Sequence, residues 1–376
     1  MNHYCTYLDR GFVIQGLALW RSLAAHDTDA VLWVLGFDSV AGDVLEELAD
    51  PRLHVVRLSE LESADPAFAA VKGSRSQLEY YFTSSPCWLR WLFAAHPEIG
   101  RITYLDADLL VFSSPAPIHA AMHTAGASVL VTPHRFPAWQ RTYERYGRFN
   151  KGWLAIRNDP VGQACLADWR DRCLTWCRDL PDASGRYADQ GYLTAWPDQF
   201  GASVLVLEHA GVNVAPWNWL AHQVTWDAAG HPLFDGQQLV AFHFSRFQPL
   251  QGDWWWHSGQ LQCGVMPWRL RQAVYGTYWR ALASARAEIA ARRPGWNFTR
   301  PACRYTSAAA GLAIYAFIFG GNWLRVGDIF IAGHLGVGRW SGRLLVMLQR
   351  IFLPRSLHPA ARPTVSAGQQ INPPAG

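Results

Sequence analysis

The sequence predicts an α/β protein: a mixed, mainly parallel sheet with helices on both faces, followed by a C-terminal helical extension. Three observations carry that expectation. Short apolar strands alternate with helical patterns through the first half of the chain, the order that builds parallel sheets covered on both faces. Half of the 376 residues are hydrophobic and 20 are tryptophan, enough for a sizeable core and too apolar for disorder over most of the length. An apolar run, residues 101–112 (RITYLDADLLVF), ends in two aspartates, and such sheets bind ligands beyond the carboxyl ends of their strands.

Taken in order, HYCTYL reads as a strand, and residues 11–26 carry apolar side chains at helical spacing. Strands are expected at 30–37 and 53–58, with a helix over 42–49 between them. Residues 77–95 look helical at least in their second half, with Pro86 marking a break or a first turn. The 101–112 strand follows, then a helix after Pro117 and a strand at 127–132. A second block, residues 149–247, holds a strand at 153–157, a helix at 161–177, a helical turn at 188–195, and strands at 204–207 and 239–244. From Pro267 the character changes: residues 268–293 form an arginine-rich amphipathic pattern, and 308–321 is an almost purely apolar run of 14 residues. The expected organisation is a catalytic domain over 1–250, a basic, apolar helical extension over 251–353 and a disordered tail over 354–376, rich in Pro, Ala and Gly.

The net charge of +4 conceals a split. Residues 1–266 hold 19 basic and 27 acidic side chains, whereas residues 267–376 hold 14 arginines against Glu288 and Asp328 alone. An acidic front with a basic rear, and no recognition motif, argues against nucleic acid as a partner. The 308–321 run is shorter than the roughly 20 residues of a spanning helix. Two readings of it are open: a buried helix, or an interfacial segment flanked by arginines on an anionic membrane. The seven cysteines are odd in number and scattered, and no signal peptide precedes the first strand. Reduced thiols and a cytoplasmic location are therefore expected, with peripheral contact at the inner membrane face as the alternative placement. Cys173 and Cys177, four apart in a helical pattern, lack a second Cys or His pair and read as packing residues.

The chemistry centres on Asp106 and Asp108. Alternate side chains of a strand point the same way, so both carboxylates can converge on one point. Two converging carboxylates repel unless something positive lies between them, and hard oxygen ligands suit Mg²⁺ or Mn²⁺. An isolated D-x-D is more often a pair of solvated turn aspartates; the preceding strand and the later motifs favour the metal. In Phe149-Asn150-Lys151-Gly152, Asn150 and Gly152 read as a turn that can bring an amide and a close backbone to a ligand. Asp189 and Gln190 open a short helix, as a cap or as groups reaching a reacting sugar. His243, on an apolar strand, is a core residue or the third ligand that two carboxylates await. Arg246, just beyond it, is a solvated loop arginine or a diphosphate contact.

The ordered set TYLDRG, YLDADL, FNKGWLAIRND, ADQGYL, NVAPWN and FHF, spread over about residues 1–250, resembles bacterial members of glycosyltransferase family 8. The resemblance implies a GT-A (Rossmann-like) fold and a nucleotide-sugar donor, UDP-sugar being the expected carrier. It implies that Asp106, Asp108 and His243 hold Mn²⁺ (or Mg²⁺) on the donor diphosphate. Asn150, Asp189 and Gln190 match the family's sugar-contacting residues, with Asp189 or Gln190 near the anomeric carbon. Tyr7 and Asp9 fall where the first strand meets the base and ribose. The chain departs from the family pattern at Ser245 and Arg246, where a Gly and a Lys are frequent, and at Lys151, where a small or apolar residue is commoner.

The expected activity is metal-dependent transfer of a sugar to a glycan or lipid-linked acceptor, in bacterial surface polysaccharide or lipopolysaccharide synthesis. Retention of anomeric configuration is implied by the resemblance, through a covalent intermediate on Asp189 or by front-face attack. A haloacid-dehalogenase-type phosphatase also uses D-x-D, but wants Thr or Val where this chain has Leu110. A nucleotidyltransferase wants a Gly-rich loop after the first strand, where residues 8–14 offer only Gly11. A non-catalytic scaffold of the same fold is the third alternative.

Overall fold

The computed structural model describes residues 1–249, 255–257, 263–264, 266–296, 323–326 and 329–332, with 248–249, 255–257, 323–326 and 329–332 as backbone. The chain divides into two units, Met1–Phe247 with Val265–Pro301, and Gln248–Gly264 with Ala302–Gly376.

In the first unit, β1 (Asn2–Leu8), α1 (Val13–His26), β2 (Ala30–Gly36), α2 (Ser39–Glu46) and β3 (Leu53–Arg57) follow one another as the alternating pattern predicts. The helix expected at 42–49 starts earlier, because the Asp38 carboxylate accepts from the Ala41 N–H and caps it there. Two short helices, α3 (Leu58–Ala64) and α4 (Pro66–Val71), lead to α5 (Gln77–Ala95) and β4 (Arg101–Leu105). α5 runs through Pro86 without ending, started by a capping box in which Ser76 and Glu79 serve each other's backbone N–H.

Next come β5 (Leu109–Val111), α6 (Ala116–Thr124), β6 (Val129–Pro133), β7 (Phe149–Arg157), α7 (Pro160–Thr175), α8 (Trp196–Phe200) and β8 (Val204–Val206). Seven of these strands form one sheet in the order β3-β2-β1-β4-β7-β6-β8. β3, β2, β1 and β4 run parallel, β7 is antiparallel to both of its neighbours, and β8 is parallel to β6. Alternation along β2 sends Val31, Trp33 and Leu35 into one core with Trp88, Leu89 and Leu92 of α5 and with Trp169 and Cys173 of α7. On the opposite face α1 lies so close that a Cβ at Gly16 would meet the Leu8 side chain at 2.2 Å. The sheet is thus mixed, mainly parallel and covered on both faces. Cys173 and Cys177 are fully buried packing residues.

The strand expected over 101–112 is two strands. β4 ends at Leu105, residues 106–108 turn, and β5 leaves the main sheet to pair with residues 241–243. Before that pairing come β9 (Val224–Trp226), β10 (Pro232–Phe234) and β11 (Gln237–Gln238), an antiparallel sheet that the sequence did not announce. β12 (Ala241–His243) then runs antiparallel to β5, with His243 opposite Leu109. β7 is also longer than expected, because Asn150, Lys151 and Gly152 are strand residues rather than a turn: Asn150 pairs with Thr132 of β6, and Lys151 and Gly152 fall in the register shift that follows.

Helices α9 (Trp268–Arg271) and α10 (Thr277–Arg292), joined by a π-helical turn, belong to this first unit. Phe244, directly after β12, stacks on Tyr278 of α10 at 3.7 Å between ring centres and meets Tyr275 edge-on at 5.1 Å. Arg21 of α1 bridges Asp50 and Glu288. In the second unit β13 (Gln248–Pro249), β14 (Trp255–His257), β15 (Trp323–Val326) and β16 (Ile329–Ala332) form an antiparallel sheet in the order β13-β14-β16-β15. The apolar run 308–321 and the tail 354–376 lie outside the described residues. Among the described residues no helix is long and apolar enough to cross a membrane.

The aromatic block behind β12 is the support of the strand that carries His243. Replacing the fully buried Phe244 by Ala is expected to cost about 3–5 kcal/mol in urea unfolding. A loss no larger than that of an ordinary surface substitution, about 0.5 kcal/mol, would contradict this role.

Candidate active site

Asp106 and Asp108 converge, though by a turn rather than by strand alternation. The Leu109 N–H donates to the Asp106 carbonyl, closing the turn where β4 leaves the sheet. The Asp106 N–H donates to the Gly152 carbonyl at 3.1 Å, and the Phe244 N–H to the Asp108 carbonyl at 2.9 Å. These bonds bind the turn to β7 and to the end of β12. The β5–β12 pairing then delivers the His243 ring, whose Nε2 lies 3.0 Å from Asp108 Oδ1 and 3.6 Å from Asp106 Oδ2. Tyr104 donates its hydroxyl to the other oxygen of Asp106 at 2.7 Å, orienting that carboxylate.

One ligand atom from each of Asp106, Asp108 and His243 falls within 4.8 Å of the other two. Two carboxylate oxygens and an imidazole nitrogen form a donor set of the kind Mn²⁺ or Mg²⁺ accepts, so the residues present fit a divalent cation. Electrostatics agree. Burial pulls the basicity of His243 down, but Asp108 and then Asp106 outweigh burial and Lys151, and its pKa is raised. The site therefore favours a positive charge at Nε2.

Gly152 makes room for this arrangement. A Cβ there would lie 2.6 Å from both Asn150 Oδ1 and His243 Nδ1. Asn150 Oδ1 accepts from the Gly152 N–H at 2.8 Å and from Asn213 Nδ2 at 2.9 Å. Asn150 Nδ2 faces Gln190 Oε1 at 3.4 Å, while Gln190 Nε2 donates to the Tyr146 carbonyl at 2.9 Å.

Beside the carboxylates lies a buried ion pair that the sequence did not announce. Lys151 Nζ donates to Asp189 Oδ2 at 2.7 Å, to Ser85 Oγ at 2.9 Å and to the Tyr7 hydroxyl at 2.7 Å. Ser85 in turn donates to the same Asp189 oxygen at 2.6 Å. Three bonds engage all three ammonium protons. The cation also sits over the rings of Tyr7 and Tyr104, at 4.7 and 4.8 Å. Burial would lower the pKa of Lys151, but Asp189, Tyr7 and Asp106 together raise it, so it stays charged.

The structure thus brings together Tyr7, Asp106, Asp108, Asn150, Gly152, Asp189, Gln190 and His243, and adds Ser85, Tyr104, Lys151 and Asn213. Asp9 stands apart from this network. The Asp9 carboxylate accepts from the Gly11 N–H and the Tyr81 hydroxyl, and Arg246 is exposed on the turn after β12. Asn213 lies in NVAPWN, but nothing local marks its partners; Lys151 was visible only as an oddity of the family pattern.

Without metal, charged His243 stabilises the fold. That contribution is complete below the ordinary imidazole value of 6.5 and is lost as pH rises through the raised folded-state value. The other shifted histidines, His3, His26, His54, His119, His134 and His209, are all lowered and so titrate below 6.5. Thermal unfolding in chelator should show Tm falling as pH rises above 6.5, with the fall abolished in His243→Gln. Equal slopes in the two proteins would contradict this.

No family model matches the chain. Two Bacillus subtilis (strain 168) proteins are similar to it. The uncharacterized protein YfnF is 32% identical over 252 residues, covering 65% of this chain and 81% of YfnF. The uncharacterized protein YfnD is 32% identical over 247 residues, covering 65% of this chain and 78% of YfnD. Among solved structures, the galactosyltransferase LgtC in complex with donor and acceptor sugar analogs superposes with a TM-score of 0.48 at 16% identity, covering 75% of this chain and 95% of LgtC. On the extent of the sequence match, the chain belongs to the family of YfnF and YfnD.

Proposed function

We propose that the protein is a metal-dependent GT-A glycosyltransferase that moves a sugar from a nucleotide-diphosphate donor to a glycan or lipid-linked acceptor. The observation that carries this reading is the Asp106–Asp108–His243 triangle at the end of a parallel strand, beside the anchored Asp189 and Gln190. The motif resemblance supports a UDP-sugar donor, Mn²⁺ or Mg²⁺ as the cation, and retention of configuration.

The physical problem in sugar transfer is the departing diphosphate, and a divalent cation held by Asp106, Asp108 and His243 would act on it as a Lewis acid. The chain's own residues do the rest. Lys151 and Ser85 hold the Asp189 carboxylate in one orientation and occupy its Oδ2. Asp189 then serves either as nucleophile or as a fixed negative charge facing the developing cation of the sugar. The resemblance supports Asn150 and Gln190 as the residues beside the sugar, with Asn150 orienting Gln190, whose Oε1 it faces. Tyr7 and Asp9 flank the base and ribose, and Arg246 meets the diphosphate. The 14 arginines after residue 266 support an acceptor presented at an anionic membrane surface, as in lipopolysaccharide or capsule synthesis, which co-sedimentation of the full chain with anionic but not neutral vesicles would register.

Calorimetric titration with a panel of nucleotide sugars, with and without Mn²⁺, tests the central reading. The expected outcome is Mn²⁺-dependent binding of one donor, abolished in Asp108→Asn. No binding of any donor by folded protein, or binding indifferent to metal and to Asp108→Asn, would overturn it.

A further inference from the structure

The hydrogen bonds around His243 can be assigned from two backbone groups whose roles are not in doubt. The Gly152 N–H can only donate, so the atom of Asn150 that faces it at 2.8 Å is the amide oxygen. That leaves Asn150 Nδ2 on the side of Gln190, whose own orientation is set independently by donation from Nε2 to the Tyr146 carbonyl. The two ends agree on one orientation for Asn150.

With its oxygen placed, Asn150 can receive only a donor from Asn213, so Nδ2 of Asn213 faces it at 2.9 Å. Oδ1 of Asn213 therefore faces His243 Nδ1, at 3.0 Å. An amide oxygen accepts and does not donate, so the proton sits on Nδ1 of His243. Nε2, the nitrogen that faces Asp106 and Asp108, is the one left to take a cation.

We infer that Asn213 is the positioning residue of the candidate metal centre, fixing both the ring orientation and the tautomer of His243. This rests on the metal-binding reading proposed above and extends it to a residue outside the ligand set. The surroundings support it. Asn213 is fully buried and its φ is +54°, a left-handed conformation that Asn adopts more readily than most residues. Its loop is laced to β12 by donation from the Val214 N–H to the Ala241 carbonyl and from the His243 N–H to the Val214 carbonyl. Asn218 Nδ2 donates to the Asn213 carbonyl at 3.2 Å. The amide is thus held on the same frame as the imidazole it orients. Through Asn150 the same chain of amides reaches Gln190, so the metal side and the sugar side of the site share one set of supports.

Asn213→Gly removes the amide while keeping a residue at home at positive φ. Asn213→Asp keeps an acceptor opposite Nδ1. Mn²⁺ binding is read directly from the loss of the free-ion paramagnetic resonance signal, with thermal unfolding to establish that each variant is folded. The expected result is a loss of Mn²⁺ affinity of about 10- to 100-fold in Asn213→Gly, with Asn213→Asp retaining most of it. Native affinity in Asn213→Gly, or equal loss in the Gly and Asp variants, would overturn the role of Asn213 and leave the metal reading standing. Failure of the native protein to bind Mn²⁺ would overturn the metal reading, and this inference with it.

Discussion

The site depends on holding two carboxylates and an imidazole within reach of one another at the edge of a protein core. Left alone, Asp106 and Asp108 would move apart into solvent. Backbone bonds from Asp106 to Gly152 and from Phe244 to Asp108 prevent that. The antiparallel pairing of a three-residue strand with β12 supplies the third group from more than 130 residues away. Short strands contribute little pairing energy of their own, so β12 relies on the aromatic block of Phe242, Phe244, Tyr275 and Tyr278 packed behind it. The helical stretch after residue 266 thereby acts at a distance on the candidate metal centre.

Around that centre the protein places charges in pairs rather than singly. Lys151 is the clearest case. A buried ammonium without partners would shed its proton, and here Asp189, Tyr7 and Ser85 satisfy it completely. The same lysine opposes the charge of His243, and Tyr104 ties Asp106 to the ring surface over which that lysine sits. Truncating one member of such a network leaves another charge buried and unpaired, which is why these residues behave as a unit.

Much of the fold was legible because α1 and α5 are long segments with apolar residues at helical spacing, and β1, β2 and β3 are short apolar runs bounded by loops. Asp106, Asp108 and His243 were legible for a different reason: carboxylates at the end of an apolar run and a polar residue inside one need an explanation. The misreadings have physical causes. Asn150-Lys151-Gly152 has turn composition, yet Asn150 pairs with Thr132, the Gly152 carbonyl accepts from the Asp106 N–H and the Lys151 ammonium finds Asp189, which makes the segment buried strand. Lys151 stood out only as a departure from the family pattern, because its counter-charge lies 38 positions later. Asn213 is silent in the sequence because its function is a hydrogen bond to a residue 30 positions away.

The most direct measurement is anomalous diffraction from crystals soaked in Mn²⁺, recorded near the manganese edge. The account predicts a single strong peak bounded by Asp106, Asp108 and His243 Nε2, with Nδ1 of that ring still on Asn213 Oδ1. A fully ordered site with no peak there, or a peak elsewhere that leaves the three side chains unliganded, would contradict it.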